Sequence, residues 1–174
     1  MIAFQLIAAN IDTGLIVQSV DNDYNLRRLE RYLVMVNQGH IEPVVLLSKC
    51  ELLPANEIDK IVEEIHSLKP DLSVLPFSNI DHTNLIQVKA LLVPQKTYCL
   101  LGSSGVGKST LINSLQKKER LKTQSVREKD GKGRHTTTCR QLITLTNGAM
   151  IIDTPGMREL GIGGVDTGLD SAFD

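Results

Sequence analysis

The 174-residue sequence has few of the features that mark a nucleic-acid-binding or membrane protein. It contains no Trp, and aromatic residues make up 3% of the chain, which argues against a base-stacking platform. The formal net charge is −1, so no overall basic field attracts nucleic acid. Hydrophobic and charged fractions of 41% and 22% are ordinary for a soluble globular protein. The length indicates one domain with a sizeable core.

Cysteine is also scarce, and its spacing excludes two further classes. Cys50, Cys99 and Cys139 stand alone without a C-x-x-C pair, so neither a zinc site nor a disulfide framework is indicated. No apolar run approaches the roughly 18 residues of a membrane span, and the N-terminus lacks the pattern of a signal peptide. We therefore expect a cytoplasmic monomer with reduced thiols and no contact with a membrane.

Short apolar runs alternate with amphipathic segments along the chain. The runs predict strands over residues 14–20, 43–48, 73–78, 97–103, 140–145 and 149–155. The segments between them repeat apolar residues at helical spacing, and the first places Arg27, Arg28 and Arg31 outside. This alternation predicts an α/β fold with a doubly wound, mostly parallel sheet covered on both faces.

Two local patterns interrupt the alternation. Asn147-Gly148 predicts a two-residue turn that joins the last two strands antiparallel. The segment Lys117–His135 holds eight basic and three acidic residues, a net charge of +5, with few apolar side chains. Such a segment is usually a solvated face, and we expect a mobile loop there.

The stretch GSSGVGKST fits the phosphate-gripping pattern G-x-x-x-x-G-K-[ST]. It follows a predicted strand and opens a predicted helix, the context in which backbone N–H groups and a helix N-terminus surround phosphates. Lys108 would reach the β- and γ-phosphates, and the Ser109 hydroxyl would ligate Mg²⁺. The nucleotide-binding residues predicted here are Gly102, Ser103, Ser104, Gly105, Val106, Gly107, Lys108, Ser109 and Thr110.

Two downstream patterns complete a candidate phosphate and metal site. D-T-P-G begins at Asp153, which can hold a Mg²⁺-bound water, while the Gly156 N–H can contact a γ-phosphate. In GRHTTT, a Thr hydroxyl can complete the Mg²⁺ shell only while a γ-phosphate is present, which makes a switch. We assign Thr137 to the metal, although a Thr run also favours the start of a strand.

The half of the chain before the phosphate loop carries elements that resemble base readers. In GTP-binding domains an N/T-K-x-D element reads guanine, and a following S-A turn contacts guanine O6 through backbone N–H. The corresponding residues here are Ser48, Lys49, Cys50 and Glu51, followed by Ser78 and Asn79. These elements normally follow D-x-x-G, so their order is rotated, while a doubly wound sheet still gathers all the loops at one edge.

The combined motifs resemble the circularly permuted ribosome-assembly GTPases of the RsgA/YjeQ type. GSSGVGKS, GRHTTT, DTPGMRE and the entry segment ANIDTGLIVQSV carry the resemblance over essentially the whole chain. It implies Mg²⁺-dependent GTP hydrolysis to GDP that the small ribosomal subunit and its rRNA stimulate. It also implies a guanine-reading half (1–94) and a phosphate-loop half (95–174). The family's RNA-binding OB-fold and zinc domain lie outside this chain, which we interpret as the GTPase core of a longer protein.

Three departures from the usual pattern leave alternatives open. Glu51 and Ser48 stand where Asp and Asn or Thr are usual, and losing one of two base contacts costs about 1–3 kcal/mol, so a base-promiscuous NTPase is one alternative. Met157 follows D-T-P-G where many GTPases have a water-orienting Gln. We assign that role to His135, with Arg134 a weaker candidate for an arginine finger. A nucleotide switch with negligible hydrolysis is the other alternative.

Overall fold

The described residues form a six-stranded sheet with four helices. The structure is a computed structural model that describes residues 10–123 and 141–153, and only the backbone of 117–123. The elements in chain order are β1 (Thr13–Ser19), α1 (Leu26–Gln38), β2 (Glu42–Ser48), a 3-10 turn (Cys50–Leu52), α2 (Ala55–Leu68), β3 (Ser73–Pro76), α3 (Leu85–Leu91), β4 (Thr97–Leu101), α4 (Lys108–Thr123), β5 (Gln141–Thr144) and β6 (Met150–Asp153).

The sheet order is β3-β2-β1-β4-β6-β5. Every neighbouring pair is parallel except β5 and β6, which pair antiparallel. β1 lies in the interior, where Leu15 pairs with Val44 of β2 on one side and with Leu100 of β4 on the other. The strand order reverses between β1 and β4, which opens a crevice at the carboxyl ends of these strands. The predicted doubly wound, mostly parallel sheet is confirmed.

Both faces of the sheet are buried under helices. On β1, Leu15 and Val17 face one core, to which α3 and α4 contribute, while Ile16 faces the other, to which α1 and α2 contribute. Successive side chains of a strand point to opposite faces, so a strand buried on both sides reads as a continuous apolar run. Fully buried side chains include Leu100 and Leu111 in the first core and Leu29 and Ile65 in the second.

Helix α1 is present as predicted, but one of its arginines, Arg28, is not on the exposed face. The Asn25 side chain accepts a hydrogen bond from the Arg28 backbone N–H at 2.9 Å and caps the helix. The Arg28 side chain is only 15% exposed, because its Nη2 forms an ion pair with Asp23 Oδ2 at 2.8 Å. The prediction that Arg28 lies outside was therefore wrong, since a carboxylate just before the helix draws the guanidinium inward.

The hairpin between β5 and β6 is antiparallel as predicted, but its turn is longer. Leu145 N–H donates to Ala149 O at 2.8 Å, and Gly148 N–H donates to Leu145 O at 2.9 Å. Thr146, Asn147 and Gly148 thus form a three-residue loop, with Gly148 at φ +86°. A turn closed by a left-handed glycine is the usual three-residue hairpin, so the predicted two-residue turn was wrong.

The basic segment Lys117–His135 does not begin as a loop. Helix α4 continues to Thr123, so the predicted mobile loop was wrong for residues 117–123. Lys, Arg, Glu and Leu are good helix formers, so residues of these types favour continuation of the helix. Residues 124–135 lie outside the described part of the chain.

Two of the three cysteines are buried free thiols, Cys50 and Cys99, while Cys139 lies outside the described residues. Burial raises the pKa of the Cys50 thiol to about 11. Within residues 10–123 and 141–153, no helix combines the length and the apolar character needed to cross a membrane.

Candidate functional site

Four described loops meet at the carboxyl edge of the sheet, where β6 also ends. These loops follow β1, β2, β3 and β4, which run parallel to one another and to β6, so the ends of all five strands lie along one edge. The phosphate-gripping loop follows β4 and enters α4 at Lys108. This position is next to the crevice between β1 and β4, where open α/β sheets bind ligands.

The first residue of the phosphate loop, directly after β4, packs closely against the backbone of β1. Gly102 has φ +145°, and a Cβ atom there would lie 2.3 Å from Val17 O. Gly107 has φ +97°, and a Cβ atom there would lie 3.1 Å from the side-chain nitrogen of Asn79. Glycine is required at both positions because the backbone is left-handed and the neighbouring chain is close.

The amine of Lys108 lies inside the curve of this loop. The residue is 8% exposed, and its Nζ donates to Gly102 O and Ser103 O, both at 2.8 Å. Burial lowers the pKa of the Lys108 amine, and the carboxylate of Asp153 acts in the opposite direction. The loop carbonyls therefore fix the position of a cation at the start of α4, where a helix N-terminus also favours anions.

Asp153 is the last residue of β6 and is 5% exposed. Burial raises the pKa of its carboxyl group, and the positive charge of Lys108 opposes that rise. Its buried Oδ1 has no hydrogen-bond partner among the described residues. An unpaired carboxylate oxygen of this kind suits a Mg²⁺ ion or its bound water, and the exposed Ser109 at the start of α4 offers a hydroxyl of the type that Mg²⁺ also accepts. Thr137 and Gly156 lie outside the described residues, as do His135 and Arg134.

Ser48, at the end of β2, forms a hydrogen bond with the backbone of the phosphate loop. It is fully buried, and its Oγ donates to Val106 O at 2.6 Å, with Gln18 O a longer contact at 3.4 Å. The first residue of the predicted base-reading element therefore binds the neighbouring loop instead of facing solvent. The sequence predicted a base-reading element here but did not predict this contact.

Lys49 follows in the left-handed conformation, with φ +63°, and begins the 3-10 turn. Its Nζ lies 2.6 Å from Asp21 Oδ2. Asp21 also accepts a hydrogen bond from Ser19 Oγ at 2.7 Å. The bonds from Lys49 and Ser19 lower the pKa of the Asp21 carboxyl group to about 2. Cys50 points inward and its Sγ donates to Leu47 O at 3.2 Å.

Glu51 presents an unused acceptor. Its Oε2 is buried and has no hydrogen-bond partner among the described residues. The residue lines a cavity of about 350 Å³, formed by the 3-10 turn, the start of α2 and the loop after β3. The other lining residues are Cys50, Leu53, Ala55, Ile58, Asp59, Pro76, Asp81, Thr83 and Asn84. A ligand group with N–H donors would satisfy this oxygen, whereas a group that only accepts hydrogen bonds would not.

The loop after β3 touches the phosphate loop as well. Ser78 Oγ accepts from the backbone N–H groups of Ile80 and Asp81, at 3.1 and 3.3 Å, which closes a tight turn. Asn79 Nδ2 donates to Gly107 O at 3.4 Å, and its buried Oδ1 lacks a partner among the described residues. The predicted base-side residues Ser78 and Asn79 are therefore adjacent to the predicted phosphate-side residues.

Two acidic residues of the site were not predicted from the sequence. Asp21 and Asp23 lie in the loop after β1, and Asp23 Oδ2 accepts from Ser103 Oγ at 2.5 Å. The signal was present in the sequence, because DND directly follows the apolar strand GLIVQSV. Acidic residues at the end of an interior strand, next to a phosphate loop, merit attention as positioning groups.

A phosphate-gripping loop and loops resembling base readers thus meet at one edge of a doubly wound sheet, with the base-side loops first in the chain. This arrangement is the fold of the circularly permuted GTPases. A family model described as RsgA GTPase matches residues 2–163, and the chain belongs to this family.

Individual relatives agree with this assignment. The chain is 49% identical to a small ribosomal subunit biogenesis GTPase RsgA of Methanosarcina acetivorans, over 97% of this chain and 45% of the relative. It is 44% identical to RsgA 1 of Listeria innocua, over 97% of this chain and 48% of that protein. The chain thus spans about half the length of the curated relatives it matches.

Solved structures share the fold. YjeQ from Thermotoga maritima superposes with a TM-score of 0.66 at 26% identity, over 88% of this chain and 50% of that one. YloQ, described as a circularly permuted GTPase, superposes with a TM-score of 0.61 at 24% identity, over 89% of this chain and 48% of that one.

Proposed function

We propose that this chain binds GTP and GDP with Mg²⁺ and hydrolyses GTP during maturation of the small ribosomal subunit. One observation carries the nucleotide-binding part of this proposal. The last residue of β2 and the loop after β3 hold the phosphate loop directly, through Ser48 Oγ to Val106 O and Asn79 Nδ2 to Gly107 O. A base reader and a phosphate loop that are joined by hydrogen bonds form one continuous site, which suits a ligand that carries both a base and phosphates.

Each half of the chain has its own task in this proposal. Residues 1–94 read guanine: Glu51 accepts from the base, the Lys49 stem packs on the ring, and the turn at Ser78–Asn79 offers backbone N–H groups. Residues 95–174 hold the phosphates through Gly102–Thr110 and Gly156. The partnerless Oε2 of Glu51 supports the first assignment, and the buried amine of Lys108 supports the second.

Magnesium belongs to the same proposal. Asp153 and Ser109 would hold the ion or its waters, and Thr137 would join them in the GTP state. Bound Mg²⁺ neutralises charge on the β- and γ-phosphates. The support from this chain is the orphaned Oδ1 of Asp153 beside the Lys108 amine.

Hydrolysis requires that a water molecule be oriented, and Met157 cannot do so. We assign the orientation to His135 and expect the subunit to place it. The expected result of His135→Ala is a loss of subunit-stimulated turnover of about 100-fold or more, with GDP affinity unchanged. His40→Asn is the matched control, because His40 lies in the turn before β2 with φ +52°, which Asn tolerates. Unchanged stimulated turnover in His135→Ala would show that the assignment of His135 is wrong, whereas no turnover of the unaltered chain with the subunit would leave only a nucleotide switch.

The partner is proposed from the relatives, which are named small ribosomal subunit biogenesis GTPases. The net charge of +5 over residues 117–135 gives rRNA phosphates a counterpart on the chain. We propose a cytoplasmic monomer that docks on the subunit. Its affinity for the subunit should fall steeply with added salt, as phosphate contacts require.

Calorimetric titration with Mg²⁺·GDP and, separately, Mg²⁺·ADP tests the base assignment. We expect GDP to bind about 100-fold or more tightly than ADP, because guanine presents adjacent N–H donors on N1 and on the 2-amino group to Glu51, whereas adenine has an acceptor at N1. Glu51→Gln should weaken GDP by about tenfold or more and leave ADP unchanged, while Glu51→Asp should retain the preference. Equal binding of GDP and ADP to the unaltered chain would contradict guanine reading.

A further inference from the structure

The loop Asp21–Asp23 touches both ends of the proposed nucleotide site. It leaves β1, the strand beside which the sheet order reverses, and leads into α1. Its two carboxylates contact different partners that lie far apart in the sequence. Asp21 contacts the base-side loop after β2, and Asp23 contacts the phosphate loop after β4.

Asp21 holds the base-side lysine. The Lys49 Nζ lies 2.6 Å from Asp21 Oδ2, and the two side chains are 32% and 28% exposed. The carboxylate is itself fixed, because Ser19 Oγ donates to Oδ1 at 2.7 Å and the Asp23 backbone N–H donates to the same oxygen at 3.0 Å. A lysine has many rotamers, so an anchored ammonium confines the stem that would lie on the base.

Asp23 holds the phosphate loop from the other side. Ser103 Oγ donates to Asp23 Oδ2 at 2.5 Å, and Arg28 of α1 binds the same carboxylate with both of its terminal nitrogens. The carbonyl of Ser103 accepts from Lys108 Nζ. Asp23 therefore sets the position of Ser103, and Ser103 in turn sets the position of the amine expected to meet phosphates.

We propose that Asp21 and Asp23 are positioning residues with separable tasks: Asp21 orients Lys49 for the base, and Asp23 orients Ser103 and Lys108 for the phosphates. The inference rests on the proposed nucleotide binding and deepens it. Neither carboxylate would touch the ligand. Both are acids, which would repel phosphates if their charges were not offset by Lys49 and Arg28.

The charges around Asp23 allow its positioning role to be distinguished from a purely electrostatic role, because the two roles predict opposite changes in anion affinity. If Asp23 acted only through its charge, removing that charge would leave Arg28 uncompensated and would tighten the binding of an anion. If Asp23 acts by position, the same change loosens Ser103 and weakens the binding of the anion. Asn has nearly the shape of Asp, so Asp→Asn changes the charge and the bond strength with little change in packing.

The experiment uses two partial ligands, each of which occupies one end of the site. Inorganic pyrophosphate with Mg²⁺ has no base, and guanosine has no phosphate. Their affinities are measured by competition against a fluorescent GDP derivative. Asp21→Asn should weaken guanosine and GDP by about tenfold and leave pyrophosphate within about twofold. Asp23→Asn should weaken pyrophosphate and GDP by about tenfold and leave guanosine within about twofold.

Two further variants separate positioning from general damage. Asp12→Asn removes a similar ion pair, with Lys96 at 2.7 Å, from the opposite edge of the sheet, and should change neither ligand's affinity. Ser103→Ala should weaken pyrophosphate, and the double variant with Asp23→Asn should lose less than the sum of the two single losses, because both changes act on the same contact. The unfolding midpoint of each variant verifies that the protein measured is folded.

Several results would overturn the proposal. Equal effects of either Asp→Asn change on both partial ligands would show that the loop merely supports the fold, and absence of any effect would show that it does not act on the site. Tighter pyrophosphate binding in Asp23→Asn would show that charge outweighs position. A wild-type chain that binds neither GDP nor pyrophosphate overturns the proposed function itself, a result visible before any variant is made.

Discussion

At the scale of single residues, the course of the phosphate loop depends on where one carbonyl lies. The Val17 O of β1 occupies the space that a side chain at position 102 would need. Only glycine combines that close approach with the left-handed backbone of Gly102. The same strand ends at Ser19, whose hydroxyl donates to Asp21, and Asp21 in turn pairs with Lys49. The end of β1 therefore contributes to both sides of the crevice.

Gly102→Ala should therefore lower the free energy of unfolding by about 2–4 kcal/mol, through a backbone clash added to conformational strain. Gly105→Ala is the matched control. Gly105 is also left-handed, with φ +83°, but among the described residues no atom beyond its chain neighbours lies within 4 Å of the Cβ position, so the loss should be about 1 kcal/mol. Urea unfolding measures both values. Equal losses in the two variants would show that contact with Val17 is not what requires glycine.

The pair of Asp21 with Lys49 predicts an acid-dependent stability. The pKa of Asp21 in the folded protein is about 2, below its ordinary value of 3.8. A carboxyl group with a lowered pKa stabilises the fold at higher pH, and that contribution disappears as the pH falls from about 4 towards about 2. The wild-type chain should therefore lose about 0.5–1 kcal/mol of its advantage over Asp21→Asn between about pH 6 and about pH 3. Urea titrations at each pH measure this difference; a constant advantage would contradict the prediction.

At the scale of elements, the six strands were predictable because a buried parallel strand reads as an apolar run. The predicted run 43–48 compares with β2 at Glu42–Ser48, and the predicted run 97–103 overshoots β4, which ends at Leu101. The overshoot includes Gly102, whose positive φ ends the strand. A hydropathy pattern does not report such backbone changes.

The contacts between elements were less predictable. Arg28 turns inward because it pairs with Asp23. The hairpin turn is longer than predicted, and its Asn147 side chain binds Leu92 O at the end of α3. Both outcomes depend on a partner that a reading of local periodicity does not consider. The predicted end of α4 was wrong for another reason. The charged residues after Gln116 are good helix formers, but their net charge was taken to indicate a loop.

Asn147 ties the β5–β6 hairpin to the end of α3. Its Nδ2 donates to Leu92 O at 2.6 Å, and its Oδ1 accepts from the Ala149 N–H at 3.0 Å. Asn147→Ala should lower the free energy of unfolding by about 1–3 kcal/mol, because it leaves two backbone groups without partners. Asn113→Ala, at an exposed position of α4, should change stability little or raise it slightly. A smaller loss at 147 than at 113 would contradict this assignment.

At the scale of the whole molecule, both halves of the chain contribute to one edge of the sheet. A ligand that joins the two halves should therefore stabilise them together. Saturating Mg²⁺·GDP, at about 100 times its dissociation constant, should raise the free energy of unfolding by about 3 kcal/mol. Hydrogen exchange should slow in the loops after β1, β2 and β3 as well as in the phosphate loop. Protection confined to residues 102–110 would indicate that the front half does not contact the nucleotide.

The sheet order also bears on how the chain folds as it leaves the ribosome. β1, β2 and β3 are neighbours in the sheet and consecutive in the sequence, so this half can pair before β4 has been synthesised. β1 then presents an open edge, and Leu15 and Val17 lack the cover that Leu100 and Leu111 later provide. That edge is a template on which any extended segment can pair until β4 arrives. The interval between synthesis of β3 and of β4, during which the short helix α3 is made, is therefore a period in which this domain is exposed to mispairing.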